Sequence, residues 1–181
     1  MAGRLQRLDE RIVGISLRAR SPALNHRIVA LTRAANYSRL WLSIASLLAI
    51  FGGERGRHAA CRGIAAIAIA AAVANGPAKL LVRRRRPLAR SNPALIRMPR
   101  STSFPSGHSA AAFAFATGAG SEWPALGGAL TPLAAAVAYS RIYTSVHYPS
   151  DVAAGMLIGI GSGMLVRRRS SVRVPPGEVG L

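Results

Sequence analysis

Arg141, His147 and Asp151 fall within the stretch Tyr139 to Asp151, YSRIYTSVHYPSD, where one hydrophobic segment ends and the next begins. His147 and Asp151 are four positions apart, about one helical turn. A helix beginning near Pro149, where a proline is tolerated in the first turn, lets Asp151 reach back toward His147. A histidine backed by a carboxylate and flanked by an arginine suggests a nucleophile for an anionic substrate. Two further polar groups stand at segment ends: Lys79, Arg86 and Pro87 in KLLVRRRRP, and Pro105, Ser106, Gly107 and His108 in PSGH. Each alone has an ordinary explanation. A lysine near a helix end snorkels, and a histidine before an apolar run hydrogen-bonds at an interface.

The segments that must bring these groups together are apolar runs. The first candidate span covers Ile28 to Gly53, with Trp41 as an interfacial anchor and Arg33, Asn36 and Arg39 weakening its first half. The second covers Ala59 to Val82, long enough to cross a bilayer core of ~30 Å, which takes about 20 residues. A third begins near Ser106 and runs to Gly120, a fourth occupies Trp123 to Tyr139, and a fifth Val152 to Val166. In the fifth, Gly155, Gly159 and Gly163 recur every four residues and line one face, which permits close helix packing within the bundle or in a dimer. Gly159, Gly161 and Gly163 do not form a nucleotide-binding loop, because no strand precedes them. Before the spans, Leu5, Leu8, Ile12, Ile15 and Leu17 recur at helical spacing among arginines. This predicts an amphipathic helix, lying on the membrane surface or packed on the bundle, and not a signal peptide. The expected architecture is an all-α integral membrane bundle of about five transmembrane helices plus the N-terminal amphipathic helix, six helices in total. Residues 1–25 form the amphipathic segment, 26–168 the membrane domain and 169–181 a flexible basic tail.

Composition agrees with a membrane protein. Half of the 181 residues are hydrophobic, yet the chain carries 24 Lys and Arg against 6 Asp and Glu, a net charge of +18. The charges lie between the apolar blocks, so anionic lipid is a better partner than nucleic acid. The single cysteine, Cys61, excludes an intramolecular disulfide and a zinc cluster and reads as a small buried residue. With five crossings, the N-terminus, the Arg83 to Ser103 loop with its Arg90, Arg97 and Arg100, and the Arg141 to Asp151 loop share one side. That side holds 17 of the 24 basic residues, Lys79 and Arg141 included, so the positive-inside rule puts it in the cytoplasm. Glu54 to Arg57, the turn near Glu122 and the C-terminal tail share the other.

The order and spacing of KLLVRRRRP (Lys79 to Pro87), PSGH (Pro105 to His108) and SRIYTSVHYPSD (Ser140 to Asp151) resemble the three-part signature of the type 2 phosphatidic acid phosphatases, also called lipid phosphate phosphatases. The resemblance spans about 75 residues from Lys79 and departs at no signature position. It implies a hydrolase in which His147 is the nucleophile, Asp151 its partner, and His108 the acid that protonates the leaving group. Phosphoryl transfer depends on positioning and charge stabilisation, which suits Lys79, Arg86 and Arg141 as phosphate-binding cations. The Ser106 hydroxyl and the N–H groups at Gly107, where a helix begins, can receive phosphate oxygens. A phosphohistidine then forms and is hydrolysed by water. No cofactor or metal is implied, and the sequence offers no acidic cluster to hold Mg²⁺. His26 and His58 lie outside the motifs and read as surface residues.

Family members act on phosphatidic acid, phosphatidylglycerol phosphate, polyprenyl pyrophosphate or decaprenylphosphoryl phosphoribose. The expected partners are therefore a lipid or polyprenyl phosphate and a bilayer with anionic lipids; an oligomeric state cannot be read. Vanadate-dependent haloperoxidases share the three motifs but are soluble, against which the apolar spans speak. The reading from another class is a non-catalytic membrane protein that binds anionic lipid through its arginines.

Overall fold

Helix starts follow the punctuation of the sequence. A computed structural model describes residues 2–87 and 95–169; Arg90 and the tail from 170 onward lie outside the described residues. Helix α1 spans Ala2–Arg18 and α2 Pro22–Ala34, the latter opened by Pro22 and by Ser21, whose hydroxyl accepts the Leu24 N–H. A 3-10 turn, Asn36–Ser38, leads into α3, Arg39–Phe51. Then come α4, Gly53–Asn75, and α5, Pro77–Leu81, separated where Pro77 lacks the N–H that would continue the ladder. Helices α6 (Gly107–Glu122), α7 (Pro124–Tyr143) and α8 (Pro149–Arg169) complete the described residues.

The six expected segments are all present, with two of them interrupted. The first span is broken: Tyr37 and Ser38 adopt positive φ, and the helices on either side are bent by 62°. The second carries the break at Gly76. Gly53–Leu80 and Pro149–Arg167 are each long and apolar enough to cross a membrane, and the bent pair taken as one span would be a third. Helix α6, with 16 residues, is shorter than the about 20 that a span requires. It is enclosed instead, packing against α4, α7 and α8. Its Ala110, Ala112, Ala114, Ala116 and Ala119 and both phenylalanines, Phe113 and Phe115, are buried, and small side chains let the neighbouring backbones approach. Leu47, Ile50 and Phe51 on α3, Ile64 and Val73 on α4, and Leu157, Met164 and Leu165 on α8 are exposed, as suits lipid-facing surfaces.

The glycine strip of α8 faces α6. A Cβ at Gly155 would strike the Ser106 carbonyl oxygen, one at Gly159 the Ala110 carbonyl oxygen, and one at Gly163 the Thr117 side chain, so the strip serves packing within the bundle. Two side-chain positions differ from expectation. Trp41 is no interfacial anchor: it is buried, with its ring centroid 5.6 Å from that of Phe115, because the bend turns its face of α3 inward. Cys61 is exposed, since the buried face of α4 is the Ala59, Gly63, Ala66, Ala70 and Ala74 row.

At one end of the bundle, Glu122 pairs with Arg62 at 3.0 Å, and Arg55 donates to the Glu122 carbonyl. At the other end, α1, the chain around Arg84 and the α7–α8 turn meet. In α1 the buried face is Asp9, Val13 and Ser16, whereas Leu5, Leu8 and Ile15 look outward. The helix is therefore docked through one stripe, and its Leu5, Leu8 and Ile15 stripe is left exposed.

Candidate active site

His147 sits in the turn between α7 and α8, whose Val146 and His147 N–H groups both return to the Arg141 carbonyl at 3.2 Å. The imidazole is buried, and its Nε2 lies 3.2 Å from Arg86 Nη1. A guanidinium only donates, so Nε2 is the acceptor and the ring proton resides on Nδ1. Nδ1 lies 3.9 Å from Asp151 Oδ2, within ion-pair range but beyond a hydrogen bond, and has no hydrogen-bond partner among the described residues. Asp151 is held otherwise: Oδ2 accepts from Ser103 Oγ at 2.5 Å and from the Tyr148 N–H at 2.9 Å, and Oδ1 accepts from Arg84 Nη1 at 2.9 Å. Burial pushes the His147 pKa down to about 4; Asp151 opposes the shift, while the Arg141 and Arg86 charges reinforce it. The imidazole is thus neutral at pH 7, with its lone pair beside a cation.

Arg86 is a clamp. Its Nη1 donates to the Val146 carbonyl (2.7 Å), its Nε to the Ser101 carbonyl (3.0 Å), and its Nη2 to Ser101 Oγ and the Thr102 carbonyl (both 3.1 Å). Arg141 is buried on α7; its Nη1 donates to Thr32 Oγ1, and its Nε finds no partner among the described residues. Lys79 Nζ donates to Asn75 Oδ1 at 2.8 Å. His108 Nε2 donates to Asn36 Oδ1 at 2.9 Å.

Lys79, Arg86, Gly107, His108, Arg141 and His147 line one cavity of about 820 Å³. Arg33, Arg97 and Arg100 line it too, and no carboxylate among the described residues does. Ser106 and Asp151 are buried behind the wall. The Ser106 hydroxyl caps α6, accepting from Ser109, and its N–H donates to the Asp151 carbonyl at 3.0 Å, so neither group is turned to a phosphate in this structure. The first turns of α6 and α8 are thereby tied together, which sets the PSGH turn beside His147.

Several residues at the site lie outside the three motifs. Asn36, which orients His108, and Thr32, which holds Arg141, come from α2 and the bend after it. Their signal in the sequence is a polar interruption of an apolar run, a feature that marks function inside a membrane. Ser103 and Asp9 carry no such signal, and Arg84, inside the first motif, is not set apart there from its neighbouring arginines.

Residues 59–174 match the PAP2 superfamily. Decaprenylphosphoryl-5-phosphoribose phosphatase of Mycobacterium tuberculosis is 38% identical over 134 residues, 70% of this chain and 69% of that protein. Undecaprenyl-diphosphatase of Sulfolobus acidocaldarius is 34% identical over 128 residues, 66% of this chain and 58% of that protein. Among solved structures, Aquifex aeolicus LpxE superposes with a TM-score of 0.73 at 27% identity, covering 87% of this chain and 93% of its own. The transmembrane PAP2 type phosphatidylglycerolphosphate phosphatase of Bacillus subtilis shares the fold, with a TM-score of 0.73 at 23% identity over 94% of this chain and 89% of its own. The bundle that these neighbours share is the one that gathers the three motifs at a single cavity, and over more than half of its length this chain belongs to the PAP2 superfamily.

Proposed function

We propose that the chain is a membrane lipid phosphate phosphatase that removes a terminal phosphate through a phosphohistidine on His147. The observation that carries this reading is the neutral, buried His147 Nε2 in a cavity that also presents Lys79, Arg86 and Arg141. Nε2 attacks phosphorus, and the P–O bond to the lipid breaks. The cations take the phosphoryl oxygens, with the buried unpartnered Arg141 Nε available as one donor. Asp151 stabilises the charge that develops on the imidazole, and His108, which takes up a proton as the phosphate dianion binds, gives that proton to the leaving alkoxide. Water, deprotonated by the same His108, then attacks the phosphohistidine, the N–P bond breaks, and phosphate leaves. The N–H groups of Gly107 and His108 open α6 without intrahelical acceptors and suit a phosphate oxygen.

The lipid tails remain in the bilayer beside the exposed apolar faces of α3, α4 and α8. Arg33, Arg97 and Arg100 are more positive charge than one phosphate requires, which favours a headgroup with a second phosphate. Decaprenylphosphoryl phosphoribose and phosphatidylglycerol phosphate have that character, and phosphatidic acid does not. The basic end of the bundle faces the cytoplasm and anionic lipid of the inner membrane.

Phosphate release by the purified protein from these lipids and from undecaprenyl diphosphate, with EDTA present, tests the function. Release that persists in EDTA, and a loss of at least about 10³-fold in His147→Ala, are expected. Hydrolysis at the normal rate by His147→Ala would sink the mechanism. Replacing Arg97 and Arg100 by alanine raises KM several-fold for the two-phosphate lipids and leaves phosphatidic acid unaffected; an equal rise for all substrates would remove the second-phosphate preference.

A further inference from the structure

Asp9 is a buried carboxylate on a highly charged helix whose other charged side chains are exposed, and it meets residues of the active-site end rather than its own helix. Its Oδ2 pairs with Arg84 Nη2 at 2.7 Å and accepts from Ser150 Oγ at 2.5 Å, while Oδ1 accepts the Ser150 N–H at 3.0 Å. It thereby caps the first turn of α8 from 141 residues away. Arg84 spans the gap to the site: its Nη1 reaches Ser150 Oγ at 2.6 Å and Asp151 Oδ1 at 2.9 Å, and its guanidinium stacks on Tyr148 at 4.1 Å. Asp151 itself is fully buried.

We propose that Asp9 and Arg84 are positioning residues for the His147 reaction, which makes the N-terminal helix α1 part of the catalytic unit. The inference rests on the phosphohistidine reading above. The charge arithmetic explains why a second carboxylate is needed. Arg84 alone would cancel Asp151, leaving nothing to offset the positive charge that appears on His147 as it takes the phosphoryl group. Asp9, Arg84 and Asp151 together carry one net negative charge. Asp9 also holds Arg84 by its other arm, so Asp151 stays between Arg84 and His147 instead of closing on the guanidinium with both oxygens. Helix α1 lies outside residues 59–174, the part that matches the superfamily.

Single-turnover phosphorylation of the full chain by a labelled lipid phosphate separates the number of competent sites (burst amplitude) from the rate per site. Asp9→Asn lowers the rate constant by on the order of 10- to 100-fold, the scale of an ångström-level misplacement, with KM within about threefold and the amplitude per folded protein unchanged. Arg84→Lys, which keeps the charge but loses the fork joining the two carboxylates, falls by a similar factor. On an Asp151→Asn background, Asp9→Asn costs little more, because the two act through one group. Val13→Ala, on the same buried face of α1, leaves the rate per site alone.

A normal rate constant in Asp9→Asn overturns the proposal, as does a lost amplitude with a normal rate. A full multiplicative loss on the Asp151→Asn background, or an equal slowing by Val13→Ala, would mean that α1 only supports the fold and overturns it too. Failure of the wild-type protein to form a phosphohistidine would overturn the underlying function and the proposal together. A wild-type burst beside an unaffected Asp9→Asn would overturn the proposal alone.

Discussion

His147 owes its neutral form, the form that the proposed nucleophile needs, to two features that pull in the same direction. Burial keeps it neutral, and the Arg86 Nη1 donor, 3.2 Å from Nε2, requires the lone pair to be on that nitrogen. Because its pKa is lowered from 6.5 to about 4, the sign of its linkage is fixed. The stability it contributes is fully present above the unfolded value and is lost as pH falls through about 4. The kinetic counterpart is an acid limb of kcat/KM near pH 4, separate from the titration of the substrate phosphate near ~6. Between pH 7 and 5 the profile should therefore follow the substrate's second ionisation and move when the phosphate ester is changed. A limb near 6 that is the same for every substrate would mean that His147 titrates normally and that its burial is misread. Arg86 supplies a second test at this scale. Its fork ties the Ser101–Thr102 segment to the Val146 carbonyl while touching His147, geometry that an ammonium cannot reproduce. Arg86→Lys should lose on the order of 10²-fold in kcat/KM despite the conserved charge, and near-normal activity would reduce Arg86 to a simple counter-charge.

Helices α6 and α8 fix the distance between the PSGH turn and the His147 turn, and Gly155 packs directly against the PSGH turn. A methyl group there would meet the Ser106 carbonyl, beside the Ser106 N–H that donates to the Asp151 carbonyl. Gly155→Ala should cost about 1–3 kcal/mol by overpacking and depress activity as the two turns separate. Gly161→Ala is the control: nothing lies within 4 Å of its added Cβ, and it should gain up to about 1 kcal/mol of helix propensity. Thermal midpoints in detergent and phosphate release report both, and equal behaviour of the two variants would show that the close approach is not needed. Much at this scale was legible in the sequence. The apolar runs and Pro149 announced the helices, and the glycine repeat announced a packed face, whereas the break before Pro77 was not read. The bend at Asn36–Ser38 was not legible, because its cause lies across the bundle, where Asn36 meets His108 and Trp41 meets Phe115. The motif residues could be read because they cluster within short stretches. Arg84 could not be singled out, since RRRR offers four identical side chains, and only partners distant in sequence, Asp9 and Asp151, distinguish it.

The whole molecule separates two chemically different ends. One gathers the cavity, α1 and most of the arginines; the other is closed by the Arg62–Glu122 pair and the contact of Arg55 with Trp123. Such asymmetry has two sources that act together. Phosphate binding demands cations at the site, and membrane insertion keeps cation-rich loops on the cytoplasmic side. Under the proposed orientation, a site at the cytoplasmic end takes lipids made on the inner leaflet and excludes carriers waiting outside. Single cysteines test the orientation. Cys61 is exposed and must first be replaced, for instance by alanine. A cysteine at Arg100, on the cavity rim, and another at Arg57, an exposed position near the opposite end, then report the two ends separately. In intact cells a membrane-impermeant maleimide should label Arg57→Cys and leave Arg100→Cys untouched until the membrane is opened. The reverse pattern would put the cavity outside the cell. In that case the arginines of the cavity end would be there for phosphate alone, since topology would have selected against them, and an externally exposed polyprenyl diphosphate would become the better substrate.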